Sequence, residues 1–223
     1  DKFADYQEMV NQYSSKGYRV LVYGRYGQAI ADDQFAHAIE PLAFVILHNP
    51  VRKNAVATFE FFAQQDVNIK VISGDNPVTV SAVAKAAGIQ GAQNYIDARK
   101  IKDENIVDAA EHNTVFGRVT PDQKRRLVKA LQSQGHTVAM TGDGVNDILA
   151  MKTADCSVAM ASGASAAMNA ASIVLLRSDF STMPKIVDEG RRTVNNIQRS
   201  ASLFLIKNIF SFLLAVLTIC TTM

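Results

Sequence analysis

Short apolar runs alternate along the chain with segments whose apolar residues recur at helical spacing. Leu42–Leu47 is an unbroken apolar run, and Val51–Gln65 then repeats apolar residues every three or four positions, which predicts a strand followed by a helix. The same alternation predicts strands at Ile69–Ile72, Val115–Phe116, Thr137–Met140, Ser157–Met160 and Ile173–Leu176, and helices at Pro77–Ala87, Pro121–Gln134, Ile148–Thr153 and Ser165–Ala171. Strands that alternate with helices build a parallel sheet flanked by helices, so the sequence predicts a Rossmann-like α/β fold.

Two segments depart from this alternation. Before Pro41, a predicted helix at Tyr6–Tyr13 and a strand at Tyr18–Tyr23 lead into a polar loop that continues through Asp33. This segment is typical of the end of a separate domain. Gln90–Asn113 is more polar than its surroundings, and we expect it to be a short excursion with a surface helix.

The end of the chain is apolar from Leu203 to Met223, with Lys207 as its single charge. At about 1.5 Å per residue, a helix of this length spans the roughly 30 Å hydrocarbon core of a bilayer. The helical spacing of Thr182–Ser200 runs into this segment, and several basic residues precede it: Lys185, Arg191, Arg192 and Arg199. Positive charge of this kind lies on the cytoplasmic side. We therefore expect a membrane protein, located in the plasma membrane, with residues 1–202 in the cytoplasm. A buried core helix is the alternative.

Composition narrows the function classes. With 223 residues, 48% of them hydrophobic, the chain can bury a sizeable core in one large domain or two smaller ones. Its net charge of +2 gives no broad basic surface, so nucleic acid is not an expected partner. Cys156 and Cys220 lie far apart without a CxxC pattern, which argues against a disulfide scaffold or a zinc site. The chain opens at Asp1 on a polar helical stretch, and we expect it to be a fragment.

The segment Thr141–Asp147 reads Thr-Gly-Asp-Gly-Val-Asn-Asp and directly follows a predicted strand. Asp143 and Asp147 are two carboxylates four residues apart on a glycine-rich turn, and carboxylate oxygens are ligands that Mg²⁺ prefers. In an open α/β sheet, ligands bind at this edge. The segment therefore indicates a Mg²⁺ and phosphate site, although an ordinary turn has a similar composition.

Two other strand ends also have residues suited to an anion. Ser73-Gly74-Asp75 lies between a strand and the helix that starts at Pro77, so a hydroxyl, backbone N–H groups and a helix N-terminus are available to phosphate. The alternative is that Ser73 or Asp75 simply caps the helix.

The third strand end is followed by Arg118 and then by Lys124 in the first turn of the next helix. A lysine there opposes the helix dipole, and a bound phosphoryl group would offset that placement. Arg118 could reach a nucleotide phosphate. A solvated surface charge is the commoner role of such a lysine.

Taken in order, Ser73-Gly74-Asp75, Arg118–Lys124 and Thr141–Asp147 closely resemble the P-type ATPases. The resemblance extends through Ile148–Asp155 and covers the chain from Pro41 to its end. These proteins are ATP-driven transporters with a haloacid-dehalogenase-like phosphorylation domain. The resemblance therefore implies a haloacid-dehalogenase-type parallel sheet followed by a transmembrane helix, with ATP as substrate, Mg²⁺ as cofactor and a cation as cargo.

The resemblance also implies roles for individual residues. Asp143 is the expected Mg²⁺ ligand, with Asp147 organising the same site, and Asn146 is expected to hydrogen-bond the transferred phosphoryl group. Ser73, where the family most often has Thr, would hold phosphate oxygens together with Gly74. Asp75 is expected to order the loop, and Lys124 to neutralise the phosphoryl group. Arg118 is expected to contact the nucleotide, and so is Arg19, although the match there is shorter. Lys124, Asp147 and Asp75 would form the catalytic set.

Two departures from the family pattern affect what this chain can do. The phosphorylated aspartate of the family lies in Asp-Lys-Thr-Gly-Thr, which this sequence lacks. We therefore expect the nucleophile and a further Mg²⁺ ligand to come from a missing N-terminal part of the same polypeptide, and the fragment alone to be inactive. At the hinge, Asn49 stands where the family commonly has Asp, which puts the nucleotide contact and the role of Arg52 in doubt.

The resulting hypothesis divides the chain into four parts. Residues 1–40 would end a nucleotide-binding domain, residues 41–180 would form most of a phosphorylation domain, residues 181–202 a stalk helix and residues 203–223 a transmembrane helix. Two alternatives stay open: a soluble phosphatase of the same superfamily, which the apolar tail argues against, and a non-catalytic, membrane-anchored module that binds nucleotide or Mg²⁺. The transported ion is not specified by these residues.

Overall fold

The computed structural model describes residues 2–27 and 39–222. The chain falls into two compact units, Asp1–Phe180 and Ser181–Met223. Most of the polar loop predicted to run through Asp33 lies outside the described residues.

The first unit begins with helix α1 (Lys2–Ser14) and an antiparallel pair of strands, β1 (Arg19–Arg25) and β2 (Glu40–Leu47). The ring of Tyr6 on α1 packs against that of Phe44 on β2 at 5.3 Å. We predicted the apolar run at 42–47 as a strand of the parallel sheet, and that assignment is wrong. An apolar run does not specify its partner strand, and here the partner is β1, across the predicted boundary at residue 40. Most of the run is also exposed and not buried in a sheet core.

The first parallel half-sheet has the order β3-β5-β4. Its strands are β3 (Val71–Ile72), β4 (Tyr95–Asp97) and β5 (Val115–Gly117), and its helices are α2 (Ala55–Gln64), α3 (Pro77–Ala86), α4 (Ile106–His112) and α5 (Pro121–Ser133). Strand β5 is buried on both sides. Val115 packs with Ala84 of α3, whereas Phe116 packs with Leu127 of α5. Alternate residues of a strand point to opposite faces, so helices cover both faces of this half-sheet.

The second parallel half-sheet has the order β6-β7-β8. It comprises strands β6 (Ala139–Gly142), β7 (Cys156–Met160) and β8 (Ile173–Leu175), with helices α6 (Ile148–Thr153) and α7 (Ser165–Ala170). Met140, Met151 and Ala159 form its core. Short 3₁₀ turns complete the described structure at Ala98–Lys100, Asp103–Asn105, Val145–Asp147 and Phe180–Thr182.

Helix α5 joins the two half-sheets. Leu127 belongs to the core of the first half-sheet and the neighbouring Val128 to the core of the second. The N-terminus of α5 is stabilised by a capping box. The Thr120 hydroxyl accepts from the backbone N–H of Gln123, and the Gln123 side chain accepts from the backbone N–H of Thr120. Pro121 occupies the first helical position. The packing of α5 therefore fixes how the two half-sheets face each other.

The second unit contains one long helix, α8 (Met183–Thr222). Among the described residues it is the one helix long and apolar enough to cross a membrane, with a mean hydropathy of 2.2 in its most apolar window. That window is exposed in the structure, whereas the alternative of a buried core helix would hide it. The predicted continuity from Thr182 into the apolar tail is confirmed.

Candidate functional site

Loops at the carboxyl ends of β3, β5 and β6 bring most of the predicted site residues to one edge of the parallel strands. Such an edge is where α/β sheets bind ligands. The predicted residues fall into two groups, one around Asp147 and one around Ser73.

Asp147 is the most firmly held side chain of the site. One of its carboxylate oxygens, Oδ1, lies 2.6 Å from Lys124 Nζ, and both side chains are nearly buried, with 12% and 14% of their surface exposed. The other, Oδ2, accepts a hydrogen bond from the backbone N–H of Gly144 at 3.3 Å. A Cβ atom at Gly142 would lie 2.5 Å from Asp147 Cβ, so only glycine leaves room for this arrangement. The carboxylate is therefore fixed from three sides.

Asp143 is held through its backbone and not through its side chain. Its carbonyl oxygen accepts from the backbone N–H of Ala164 at 2.7 Å. A Cβ at Gly163 would lie 2.4 Å from that same oxygen. The carboxylate of Asp143 is exposed and makes no hydrogen bond or ion pair within the described residues, and Asn146 is exposed beside it. Both side chains are thus available to a ligand.

Lys124 sits in the first turn of α5, where its charge opposes the helix dipole. Its ion pair with Asp147 offsets this placement. Because Lys124 follows β5 and Asp147 follows β6, the pair also ties the loops of the two half-sheets together.

The loop after β3 forms a compact turn around Ser73. The Ser73 hydroxyl accepts from the backbone N–H of Asp75 at 3.1 Å. Helix α3 is capped by Asn76, whose side-chain oxygen accepts from the backbone N–H of Val78 at 2.9 Å. The alternative that Ser73 or Asp75 is the cap of this helix is therefore wrong. Gly74 is exposed and borders open space.

The turn after β5 is tied to this loop. The backbone N–H of Arg118 donates to the Asp75 carbonyl at 2.8 Å, and the N–H of Val119 donates to the Ser73 carbonyl at 3.0 Å. Arg118 has a φ of 55°, a left-handed conformation that is uncommon for residues other than glycine. Gly117 allows β5 to approach α3, because a Cβ there would lie 2.5 Å from the backbone of Pro77.

Arg19, at the start of β1, also reaches the loop. Its Nη1 lies 3.5 Å from a carboxylate oxygen of Asp75, with 61% and 48% of the two side chains exposed. The hinge arginine, Arg52, lies elsewhere. It donates to the Ser178 carbonyl at 3.1 Å and lies 3.9 Å from Asp179, so it joins the linker after β2 to the segment after β8.

Sequence reasoning missed two contributors to this edge. Asp97, the last residue of β4, accepts from Arg118 at 3.3 Å and from Arg99 at 2.8 Å, yet it lies in a stretch that we predicted as a polar excursion. Gly163 was not singled out, although its contact with Asp143 requires glycine. Neither residue stands in a recognisable motif, and the partners that tie them to the site, Arg118 for Asp97 and Asp143 for Gly163, lie in other segments of the chain.

Two titratable groups support the half-sheets away from this edge. The backbone N–H of Val138 donates to Asp155 at 2.8 Å, and this bond, together with one from Gln132, lowers the pKa of the Asp155 carboxyl. Lys70 donates to the carbonyls of Glu111 and Asn113 at the end of α4. Burial lowers the pKa of Lys70, and the charge of Glu111 partly opposes this effect.

The donor set fits Mg²⁺ only in part. Mg²⁺ is commonly bound by one or two carboxylates together with water and substrate phosphate, and Asp143 and Asp147 provide two. Across residues 2–27 and 39–222, no group of three or more His, Cys, Asp or Glu side chains could hold a metal ion. The two carboxylates therefore suit a site that a phosphate group and a further ligand complete.

Residues 4–155 match the haloacid dehalogenase-like hydrolases, and the chain belongs to this family. It is 46% identical over 215 residues to a probable cation-transporting ATPase, exp7, of Streptococcus pneumoniae serotype 4, a match that covers 93% of this chain and 27% of that protein. It is 47% identical over 212 residues to the calcium-transporting ATPase CtpE of Mycolicibacterium smegmatis, which covers 94% of this chain and 26% of that protein.

A solved structure of the catalytic domain of the CPx-ATPase CopB-B, described for its conformational changes upon nucleotide binding, is also similar. It has a TM-score of 0.52 and 29% sequence identity, and the match covers 67% of this chain and 51% of that chain. The relatives are cation-transporting P-type ATPases, and the chain matches their phosphorylation and nucleotide-binding region. It spans about a quarter of the length of the curated relatives it matches. P-type ATPases use ATP and Mg²⁺ in general, and these relatives together with α8 indicate association with a membrane.

Proposed function

We propose that this chain is the phosphoryl-handling part of an ATP-driven cation transporter that forms an aspartyl-phosphate intermediate. The observation that most supports this function is the nearly buried pair of Lys124 and Asp147, which links the loops of the two half-sheets at 2.6 Å. A nearly buried lysine and carboxylate, together with the exposed carboxylate of Asp143 in the same loop as Asp147, give both signs of charge where a phosphoryl group would transfer. Phosphoryl transfer is catalysed mainly by such positioning and electrostatic stabilisation.

Each loop has its own part in this proposal. Lys124 would neutralise charge on the transferred group, and Asn146 would donate hydrogen bonds to its oxygens. Ser73 and Gly74 would hold the same oxygens through the hydroxyl and backbone N–H groups, while Asp75 orders the loop. Asp143 would hold Mg²⁺, with Asp147 beside it, and the ion when bound would supply a counter-charge to the phosphate oxygens.

The nucleophilic aspartate would come from outside this sequence, which lacks Asp-Lys-Thr-Gly-Thr. The sheet topology supports a position for it. Strand β3 is an edge of one half-sheet and β6 an edge of the other, and α5 packs on both. We propose that a parallel strand inserts between β3 and β6, which would bring the aspartate at its carboxyl end to the same edge as Ser73 and Asp147.

The nucleotide would bind on the side of β1 and β4. Arg118 and Arg19 both stand next to Asp75 through the contacts described above, and each presents a guanidinium suited to phosphate. Asn49 replaces the expected hinge carboxylate, so we propose that these two arginines provide most of the nucleotide contact and that Arg52 only braces the hinge.

The remaining organisation follows the predicted bounds. We propose that residues 1–40 end a nucleotide-binding domain, that 41–180 form the phosphorylation domain, and that α8 serves as a cytoplasmic stalk over 181–202 and crosses the plasma membrane over 203–223. A missing N-terminal part of the polypeptide, ATP, Mg²⁺, a cation and the bilayer would be the partners.

The test is phosphoenzyme formation by the full-length gene product in membrane vesicles with Mg²⁺ and γ-labelled ATP. We expect an acid-stable, hydroxylamine-sensitive product. Asp143→Asn should lower its rate of formation about 100-fold or more, whereas Glu104→Gln, an exposed surface change, should leave it unaltered.

The chain alone should form no phosphoenzyme. If it does, the proposal that the nucleophile lies outside is wrong. If the full-length protein hydrolyses small phosphate esters without a phosphoenzyme from ATP, a phosphatase replaces the transporter. If the full-length protein does form the phosphoenzyme from ATP, stimulation of its ATP hydrolysis by each of a panel of cations would identify the cargo.

A further inference from the structure

Asp97 receives two guanidinium groups at the carboxyl end of β4. Arg99 donates from Nε to one oxygen at 3.0 Å and from Nη2 to the other at 2.8 Å. Arg118 donates from Nη1 to that second oxygen at 3.3 Å. Only 12% of the Asp97 side chain is exposed. A carboxylate held by two arginines in a nearly buried setting has little freedom to move, so it can fix whatever donates to it.

Arg118 is the partner that needs such fixing. Its left-handed backbone, with φ at 55°, is an uncommon conformation, and the long side chain would otherwise sample many rotamers. The contact to Asp97 uses one of its terminal nitrogens, and the other side-chain N–H groups make no hydrogen bond within the described residues. With 38% of the side chain exposed, Arg118 keeps donors available to a ligand.

The net charge of Asp97, Arg99 and Arg118 also indicates that Arg118 can bind an anion. Asp97 alone would cancel the positive charge of Arg118, and an anion would gain little from it. The bidentate bond from Arg99 offsets that carboxylate, so the three side chains keep a net positive charge. The turn that bears Arg118 is hydrogen-bonded to the Ser73–Asp75 loop through the carbonyls of Ser73 and Asp75, which places this charge beside the proposed phosphate site.

We propose that Asp97 is a positioning residue for nucleotide: it holds the guanidinium of Arg118 in the orientation that contacts ATP. This inference rests on the proposed function, and it adds a residue of β4 to the site. Asp97 itself does not touch the nucleotide. Its loss should therefore weaken the use of ATP and leave the handling of phosphate intact.

The experiment compares two routes to the phosphoenzyme in the full-length gene product, from ATP and from inorganic phosphate. Asp97→Ala should raise the ATP concentration for half-maximal phosphoenzyme about fivefold, because Arg118 loses a charge-assisted hydrogen bond. The concentration of inorganic phosphate for half-maximal labelling should not change. Asp97→Asn keeps the size of the side chain and an acceptor oxygen, so it should have a smaller effect of about twofold. Asp103→Ala, which removes the partner of Arg126 in the same segment, is the matched control and should change neither value.

The double variant Asp97→Ala/Arg118→Ala tests whether Asp97 acts through Arg118. We expect it to be no worse than Arg118→Ala alone, since Asp97 acts through Arg118. If Arg118→Ala raises the ATP requirement and Asp97→Ala does not, this inference fails and the proposed function survives. If Asp97→Ala shifts the requirements for ATP and phosphate equally, its role is structural and the inference also fails. If no phosphoenzyme forms from ATP in the unaltered protein, the proposed function itself is wrong.

Discussion

The loops after β3 and after β6 stand at the same edge of the parallel strands, yet they are built differently. The first loop, Ser73–Asp75, is half-buried at Ser73 and exposed at Gly74 and Asp75, is hydrogen-bonded mainly through its backbone, and has open space at Gly74. The second contains a nearly buried ion pair at Asp147, packed against a glycine that admits no Cβ. The first loop can adapt to what binds, whereas the second is set before anything binds.

This difference suggests a division of labour. Transfer of a phosphoryl group gains most from charges that do not have to reorganise, and the β6 loop has them. Nucleotide has to enter and leave, and the exposed pair of Asp75 and Arg19 at the end of the β3 loop suits a contact that is made and broken. The following changes test whether the rigid and the adaptable loop differ as described.

The largest effect is expected from adding a single methyl group in each loop. Gly142→Ala places a Cβ 2.5 Å from Asp147 Cβ, and we expect a loss of about 2–3 kcal/mol in the free energy of unfolding. Gly74→Ala is the control, and because it meets open space it should change stability by less than about 0.5 kcal/mol. Urea denaturation of the chain in mild detergent measures both. Equal losses would remove the contrast between the loops.

A somewhat smaller effect is expected from breaking the ion pair of each loop. Lys124→Met leaves the Asp147 carboxylate nearly buried without its partner, which should cost about 2 kcal/mol, less than for a fully buried pair. Arg19→Met breaks the exposed pair with Asp75 and should cost less than about 0.5 kcal/mol.

The double variant Lys124→Met/Asp147→Asn checks the cause. Removing the charge of Asp147 as well should recover part of the loss. Additive losses would mean that the two side chains do not stabilise each other.

The half-sheets should also differ in their response to acid. The lowered pKa of Asp155 means that the folded state binds this proton less readily than the unfolded state. The carboxylate therefore stabilises the β6 side above about pH 4, and that stability is lost as the pH falls through the lowered folded pKa. Asp155→Asn should reduce the denaturation midpoint at pH 7, and the difference from the unaltered chain should shrink toward pH 3. A difference that stays constant with pH would contradict this account.

The smallest effect on stability is expected at alkaline pH, from Lys70 in the half-sheet that contains β3. Because the folded pKa of Lys70 is lowered by burial, the folded state releases this proton first as the pH rises. Stability from this group should then increase between the folded pKa and the ordinary value near 10.5. Lys70→Met should flatten that rise in unfolding measurements between pH 8 and about pH 10.5. A steeper rise in the variant would show that Lys70 does not make stability increase with pH.

Local signals predicted much of the fold. Pro121 and Thr120 marked the start of α5, Gly88 and Gly135 marked the ends of α3 and α5 with positive φ, and β5, β7 and β8 lie where short apolar runs predicted them. The helix predicted from Val51 begins later, at Ala55, with Asn54 as its cap position. Each of these features depends on residues close together in the chain.

Features that depend on distant partners were not predicted. The pairing of β2 with β1 and the strand β4, three residues within a polar segment, required knowledge of the neighbouring strand. The residues Asp143, Asn146 and Asp147 were recognised from one continuous motif, and their functional roles stay predictions. The contact of Asp97 with Arg118 joins two segments that have no shared pattern, so only the structure places them together.

The left-handed backbone of Arg118 has a consequence for directed evolution of this protein. Glycine adopts a φ of 55° without steric cost, so replacing the arginine would relieve about 1 kcal/mol of backbone strain. A library selected for thermal stability alone should therefore enrich glycine at this position, and the selected variants should bind nucleotide less tightly. Stability and function are opposed at this one residue, which makes it a position to hold constant when the chain is stabilised.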